Sequence, residues 1–265
     1  MMEFPRKFYL RREDCRPDTA AQNTIRMGFH MQGVETVDFT DPAAIATFTD
    51  LGPDVGVAGY ISDVLTALQH MGIKPPVLLD YPEELKGFLG RAVSEADFGI
   101  IRGMYKGWRG FVKPSKDHKL FTGLVWEGTK EQRVQLGYVQ DQTPVWVSSV
   151  MKFVSEYRTF IRNNQILDCR RYKGDWSKAP DRSVVEAAVL AMSDTAPVAY
   201  CLDFGVNDTG ETLLVEANDG YAMGPYGLAP PRYACMISAR WREMANSSDT
   251  LATKRGPTPR KRSRP

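Results

Sequence analysis

Asp203, Glu216 and Asn218 are oxygen-bearing side chains in or directly after two otherwise apolar runs, Val198–Val206 and Thr212–Ala217. The runs read as strands, and the Asn207-Asp208-Thr209-Gly210 segment between them is a hairpin signal. Side chains alternate along a strand, so Glu216 and Asn218 share a face, and Asp203 on the antiparallel partner can reach it. Carboxylates among apolar neighbours are costly unless paired or bound to a cation. Hard oxygen donors, few in number, suit Mg²⁺, which takes one or two carboxylates and completes its shell with phosphate oxygens. The plainer alternative, strand-end residues facing water, fits Asp203 taken alone.

Basic side chains recur upstream. Lys113 follows Phe111-Val112 and precedes Pro114, so it emerges at a strand end as a point charge suited to a nucleotide phosphate. Lys116 in the next turn reads as solvated, and His118, flanked by charge, as exposed. Glu156 and Arg158 lie two apart and share a strand face, as do Arg171 and Lys173. They are either cross-strand salt bridges on a wet sheet or a phosphate clamp in which Glu156 orients the basic groups or binds ribose.

The succession is a lysine strand, an apolar strand with a small polar exit, a Glu-x-Arg strand, a basic strand, then Asp and Glu-x-Asn. From Gly99 to Met244 it resembles the ATP-grasp superfamily. Val154-Ser-Glu-Tyr-Arg-Thr-Phe, Arg171-Tyr-Lys-Gly-Asp and Leu214-Val-Glu-Ala-Asn-Asp-Gly-Tyr-Ala-Met-Gly-Pro-Tyr-Gly-Leu resemble a divergent clade of it. That clade is common in bacteria and phages and is related to the eukaryotic cell-division-cycle protein that assists assembly of a translation-initiation factor.

The resemblance implies an α+β, ATP-grasp fold with a small α/β subdomain before it. It also implies ATP and Mg²⁺ as cofactors. Lys113 would bind phosphate and Lys119 would close over it. Trp146, Val147, Ser148 and Ser149 would form the adenine-binding linker, with Glu156 beside the nucleotide. Arg158, Arg171 and Lys173 would act near the γ-phosphate and an acyl-phosphate. Asp203, Glu216 and Asn218 would hold the metal. Asp203 stands where the wider superfamily commonly has Glu, and the loop after Lys113 is short and lacks a glycine-rich run. The implied reaction is ATP-dependent ligation: a carboxylate is activated as acyl-phosphate and attacked by an amine, with a peptide or protein among the candidate substrates. An ATP-binding assembly factor with little turnover is the alternative on the same fold.

The elements that must position these groups are legible in outline. Short strands are expected at Phe4–Leu10, Glu35–Thr40 and Val55–Ala58, and Arg11–Asn23 reads as a polar loop. Asp41-Pro42 resembles a capped helix start. A helix over Ile61–Met71 carries Ile61, Val64, Leu65, Leu68 and Met71 at helical spacing and stops at Gly72. Tyr81–Arg91 reads as a short helix. Strand-like ends flank the basic centre of Gly110–Trp126, and Val145–Met151 is a further strand. Tyr157–Arg162 and Gln165–Tyr172 form a hairpin about Asn163-Asn164; helices are expected at Ser183–Met192 and Pro231–Met244. The organisation is then 1–98 as an α/β subdomain, 99–245 as the ATP-grasp region, and 246–265 as a tail. Tyr221 and Tyr226 in the Gly220–Leu228 loop, and Arg232 beyond it, are either pocket-lining or packing residues.

Composition sets the remaining bounds. A 265-residue chain with 43% hydrophobic residues can bury a full core, and a net charge of +2 creates no global field toward nucleic acid. Cys15, Cys169, Cys201 and Cys235 show neither C-x-x-C spacing nor a disulfide framework, which fits a cytoplasmic setting. No signal peptide and no membrane-spanning apolar run is visible. The tail, rich in Ser, Thr, Pro, Lys and Arg, is expected to be disordered. It could hold nucleic-acid phosphates by charge or simply be solvated.

Overall fold

The computed structural model describes residues 4–13, 16, 18–105, 107–116 and 120–247. Strand β1 (Lys7–Arg11) buries Phe8 and Leu10 on one face and forms the centre of a parallel sheet. Helix α1 (Ala20–Met31) leads to β2 (Glu35–Phe39), which pairs with one edge of β1. A 3₁₀ turn at Pro42–Thr47, capped by Asp41, then leads to β3 (Val55–Ala58) on the other edge. Helix α2 (Ile61–His70) follows and ends before Gly72, whose φ is +75°.

Helix α1 corrects the expectation of a loop running to Asn23. Thr19 accepts a hydrogen bond from the Gln22 backbone, and the Gln22 side chain accepts from the Thr19 N–H. This capping box satisfies two free donors at the helix start. Gly28 lets α1 pack closely on the last helix, because a Cβ there would collide with the Pro230 carbonyl.

Tyr81–Arg91 contains only a 3₁₀ helix, Glu83–Phe88, whose Leu85 packs beneath the C-terminal sheet. Next come β4 (Val93–Asp97), α3 (Phe98–Arg102), β5 (Gly110–Pro114), β6 (Leu124–Trp126), α4 (Lys130–Gln135) and β7 (Pro144–Ser148). The four strands form an antiparallel sheet in the order β4-β7-β5-β6, so Val93–Asp97 pairs within the sheet that carries Lys113. Phe98, Val112, Trp126 and Val145 close its core.

Residues 149–152 connect this sheet to a second antiparallel one. It comprises β8 (Phe153–Arg162), β9 (Gln165–Gly174), β10 (Ala199–Asn207) and β11 (Thr212–Asp219), in the order β11-β10-β8-β9. Helix α5 (Arg182–Ala191) covers one face, and α6 (Pro230–Ala245) packs against α1 and β10. Strand β10 is buried along its whole length. Tyr200, Leu202 and Phe204 enter the core beneath α5, whereas Ala199 and Cys201 face the core shared with α6 and the parallel sheet. Among the described residues, no helix is long and apolar enough to cross a membrane.

Candidate functional site

The site lies where the two antiparallel sheets face each other, and alternation determines who reaches it. Val145 and Val147 point into the apolar core of the first sheet, leaving Trp146 and Ser148 on the opposite face with Lys113, directly across from Trp146. On β11 a bulge is decisive. Phe204 pairs with Leu214 but Asp203 pairs with Glu216, so Val215 is an extra residue. Leu214 therefore enters the core while Glu216, two residues on, faces the site beside Asn218.

Asp203, Glu216 and Asn218 form one hydrogen-bonded group. The Asn218 amide donates to Glu216 Oε1 at 3.0 Å and to Asp203 Oδ2 at 3.3 Å. Asp203 is buried, and Arg158 grips both its oxygens, Nε to Oδ1 at 2.8 Å and Nη2 to Oδ2 at 2.7 Å. Burial works against the Arg158 charge, but Asp203 more than compensates and its pKa is raised.

Lys113 bridges the sheets. Its ammonium donates to Glu216 Oε2 at 2.7 Å and to Asp80 Oδ1 at 2.6 Å. Burial disfavours this charge, yet Glu216 and Asp80 outweigh burial and hold the lysine pKa above its usual value. Burial likewise pushes Glu216 up, and Lys113 reverses the shift to a net lowering. Asp80 is a site residue that sequence reasoning misses, as is Tyr172. Asp80 adopts φ +41°, its carbonyl accepts from Ala217 N, and its Oδ2 accepts from the Trp146 indole at 2.9 Å. Trp146 thus anchors Asp80, with Tyr81 packed edge-on against it.

Glu156 accepts from Tyr172 at 2.9 Å and from Lys173 at 2.5 Å. A second bulge explains the pairing. Glu156 lies opposite Lys173 and Tyr157 opposite Arg171, so Tyr172 is the extra residue. Tyr172 and Lys173 both turn to Glu156, while Arg171 donates to the carbonyl of Gly174 on its own strand. Arg171 is therefore not brought to the cleft with the others. Burial, then Asp203 and Glu156, raise the Tyr172 pKa, which keeps its hydroxyl a neutral donor. Tyr226 stacks on Tyr172 and over the Arg158 guanidinium; Arg232 donates to the Leu167 carbonyl, a packing role. Lys119 and His118 lie outside the described residues, as does the tail from 248 onward.

Two cavities, of about 560 and 540 Å³, meet at Lys113 and Glu216. Apolar side chains such as Phe111, Leu124, Met151 and Phe153 line the first, beside Ser148 and Ser149, together with Glu156, Tyr172 and Lys173. Asp80, Glu216 and Asn218 line the second. The first cavity thus combines apolar side chains and the connecting segment with charged groups, among them Arg91, Lys113 and Glu216.

A family model described as an ATP-grasp domain, the second family of its clade, matches residues 88–236, more than half of the chain. The chain belongs to the ATP-grasp superfamily. No curated protein matches it. Among solved structures, the D-alanine–D-alanine ligase of Bacillus anthracis superposes with a TM-score of 0.53 at 15% identity, covering 89% of this chain and 98% of that one. The same ligase complexed with ATP gives the same values. D-cycloserine synthetase DcsG superposes at 0.50 with 10% identity, covering 89% and 99%. At such identities the likeness is one of fold: this ATP-grasp chain is an α+β protein with the architecture those ligases share.

The metal question turns on the donor set. Among the described residues of this ATP-grasp protein, no group of three or more His, Cys, Asp or Glu side chains is placed to hold a metal ion. Glu216 and Asn218 line the cleft with oxygen donors, and such a pair fits Mg²⁺ when phosphate oxygens supply the rest. Asp203 lies behind them, with both oxygens engaged by Arg158.

Proposed function

We propose that this chain is an ATP-dependent ligase that activates a carboxylate as an acyl-phosphate and joins it to an amine. The observation that carries this reading is the meeting at Lys113 and Glu216 of two cavities, one walled in part by apolar side chains and the segment linking the two sheets, the other by Asp80, Glu216 and Asn218. The adenine would lie among the apolar side chains, against Ser148 and Ser149, with Glu156 and Lys173 near the ribose and phosphates. Lys113 would exchange its two carboxylate partners for phosphate oxygens. Glu216 and Asn218 would hold Mg²⁺, oriented from behind by Asp203. When bound, Mg²⁺ would offset negative charge on the phosphates.

The substrate carboxylate attacks the γ-phosphorus, the bond to the β-phosphate oxygen breaks, and ADP leaves. The amine then attacks the acyl carbon and inorganic phosphate departs. Catalysis of this kind is mainly positioning and charge stabilisation, which needs cations around the phosphates rather than a protein nucleophile. Arg158 sits one layer below the cleft, so its role is to fix Asp203 and Tyr226. A peptide or protein remains in the class of candidate substrates. The test is ADP release from Mg–ATP across a panel of amines and carboxylates. Sustained, multiple-turnover release that needs both an amine and a carboxylate and disappears in Lys113→Ala supports the ligase; ATP binding without acceptor-dependent turnover would contradict it.

A further inference from the structure

Strand β11 carries Glu216 and Asn218 and is the outer strand of its sheet, so one of its edges has no neighbouring strand. Backbone groups on such an edge need other partners. The segment before β4 supplies them. The Asp80 carbonyl accepts from Ala217 N at 2.8 Å, forming an isolated antiparallel bridge. Further along, the Arg91 guanidinium reaches the bulge itself. Its Nη1 donates to the Leu214 carbonyl at 2.8 Å, and its Nη2 donates to the Val215 carbonyl at 3.0 Å. Nη1 also donates to the Leu89 carbonyl at 3.0 Å, which ties the guanidinium back to its own segment.

Successive carbonyls of a regular strand point to opposite sides. Those of Leu214 and Val215 meet one guanidinium, so the bulge turns both toward Arg91. The extra residue of a bulge has no partner on the neighbouring strand, and here Arg91 takes its carbonyl. Arginine suits this task because its planar fork presents paired donors in fixed geometry, whereas a lysine ammonium is a point charge. The approach is prepared as well. Gly90 adopts φ +60°, and a Cβ there would lie 2.7 Å from the tip of the Leu213 side chain, so the segment runs close against β11 just before Arg91. Leu85 and Leu89 pack beneath the same sheet. Tyr81 lies between two cations, with Lys113 Nζ 4.7 Å and the Arg91 guanidinium carbon 6.0 Å from its ring centre. Since β4 begins at Val93, Arg91 stands where the first antiparallel sheet starts and grips a strand of the second.

The bulge decides which way Glu216 faces, because a regular strand would put Leu214 and Glu216 on one face. We propose that Arg91 is a positioning residue for the metal site: by clamping the bulge at Val215 it keeps the Glu216 carboxylate aimed into the cleft. This role rests on the reading of the cleft as a Mg–ATP site in which Glu216 holds the metal. Arg91 also borders the cavity that Ser148 lines, so a direct contact with the nucleotide is the competing role.

The test is calorimetric titration of ATP, in EDTA and at a series of Mg²⁺ concentrations. The proteins are wild type, Arg91→Lys, Arg91→Gln, Glu216→Ala and the double variant Arg91→Lys, Glu216→Ala. Groups that hold a metal ligand from behind typically change metal affinity by about 10–100-fold. Arg91→Lys keeps the charge and loses the fork, and Arg91→Gln loses the charge; circular dichroism checks that each is folded, and either one carries the comparison. Both should need roughly tenfold or more Mg²⁺ than wild type for the same gain in ATP affinity. Both should match wild type in EDTA. In Glu216→Ala, whose binding no longer depends on Mg²⁺, replacing Arg91 should weaken ATP binding no further, whereas a general loss of packing would add to the first loss. A folded Arg91→Lys with the wild-type Mg²⁺ requirement overturns the proposal. Weaker binding in EDTA also overturns it and assigns Arg91 to the nucleotide, and a further loss in the double variant assigns it to packing. A wild type that binds no ATP removes the reading of the cleft and this role together; one that binds Mg–ATP with the same Mg²⁺ requirement as both Arg91 variants removes the role alone.

Discussion

Lys113 Nζ and Glu216 Oε2, 103 residues apart in sequence, meet at 2.7 Å and join the two antiparallel sheets across the cleft. The pair defines a pH window. Glu216 is lowered from 4.5, so the unfolded chain takes up its proton more readily, and its contribution is full above 4.5 and lost as pH falls through the folded value. Lys113 is raised from 10.5, so its contribution is full below 10.5 and lost only as pH rises through the folded value. Urea unfolding of wild type and Glu216→Gln should therefore differ at pH 7, and the difference should shrink at pH 3. A gap of the same size at both pH values would show that the pair is not what Glu216 contributes.

Arg158 and Asp203 make the opposite kind of pair, buried and bidentate. Arg158→Met leaves a buried carboxylate with no cation and should cost about 3–5 kcal/mol in chemical denaturation. The double variant Arg158→Met, Asp203→Leu should recover most of that loss, since neither charge then remains. A double variant no more stable than the single one would mean that packing around Tyr226, rather than charge, sets the cost.

Helix α1 depends on its cap. Thr19→Ala removes the side-chain acceptor for the Gln22 N–H and should destabilise the protein by about 1 kcal/mol. Thr19→Ser keeps the hydroxyl and should be close to neutral. Equal losses in both variants would contradict the capping account.

These cases show what the amino-acid sequence discloses. The grouping of Asp203, Glu216 and Asn218 is legible from strand alternation and the turn at 207–210, and helix α2 from its apolar spacing. The bulge at Val215 is not legible. Without it, Leu214 and Glu216 would share a face, and an apolar residue would sit in the cleft or a carboxylate in the core. The second bulge breaks the alternation that would group Arg171 with Lys173, so Tyr172 is the residue that joins Lys173 at Glu156. Asp80 lies between regular elements, and its role depends on a positive φ and on partners 33 and 66 residues away, Lys113 and Trp146. Local pattern carries no trace of such long-range closure. Helix α1 is a different matter: the Thr19-x-x-Gln22 box is present in the sequence, and the polar run before it masks the signal.

The decisive measurement is calorimetric titration of Mg–ATP into wild type, Lys113→Ala and Glu216→Ala, each checked for folding by circular dichroism. Wild type should bind saturably. Lys113→Ala should bind roughly 10–100-fold more weakly, the loss expected for a charge-assisted phosphate contact. In Glu216→Ala the Mg²⁺ dependence of binding should disappear. A folded wild-type protein that takes up no ATP, or a folded Lys113→Ala that binds it as tightly as wild type, would contradict the account.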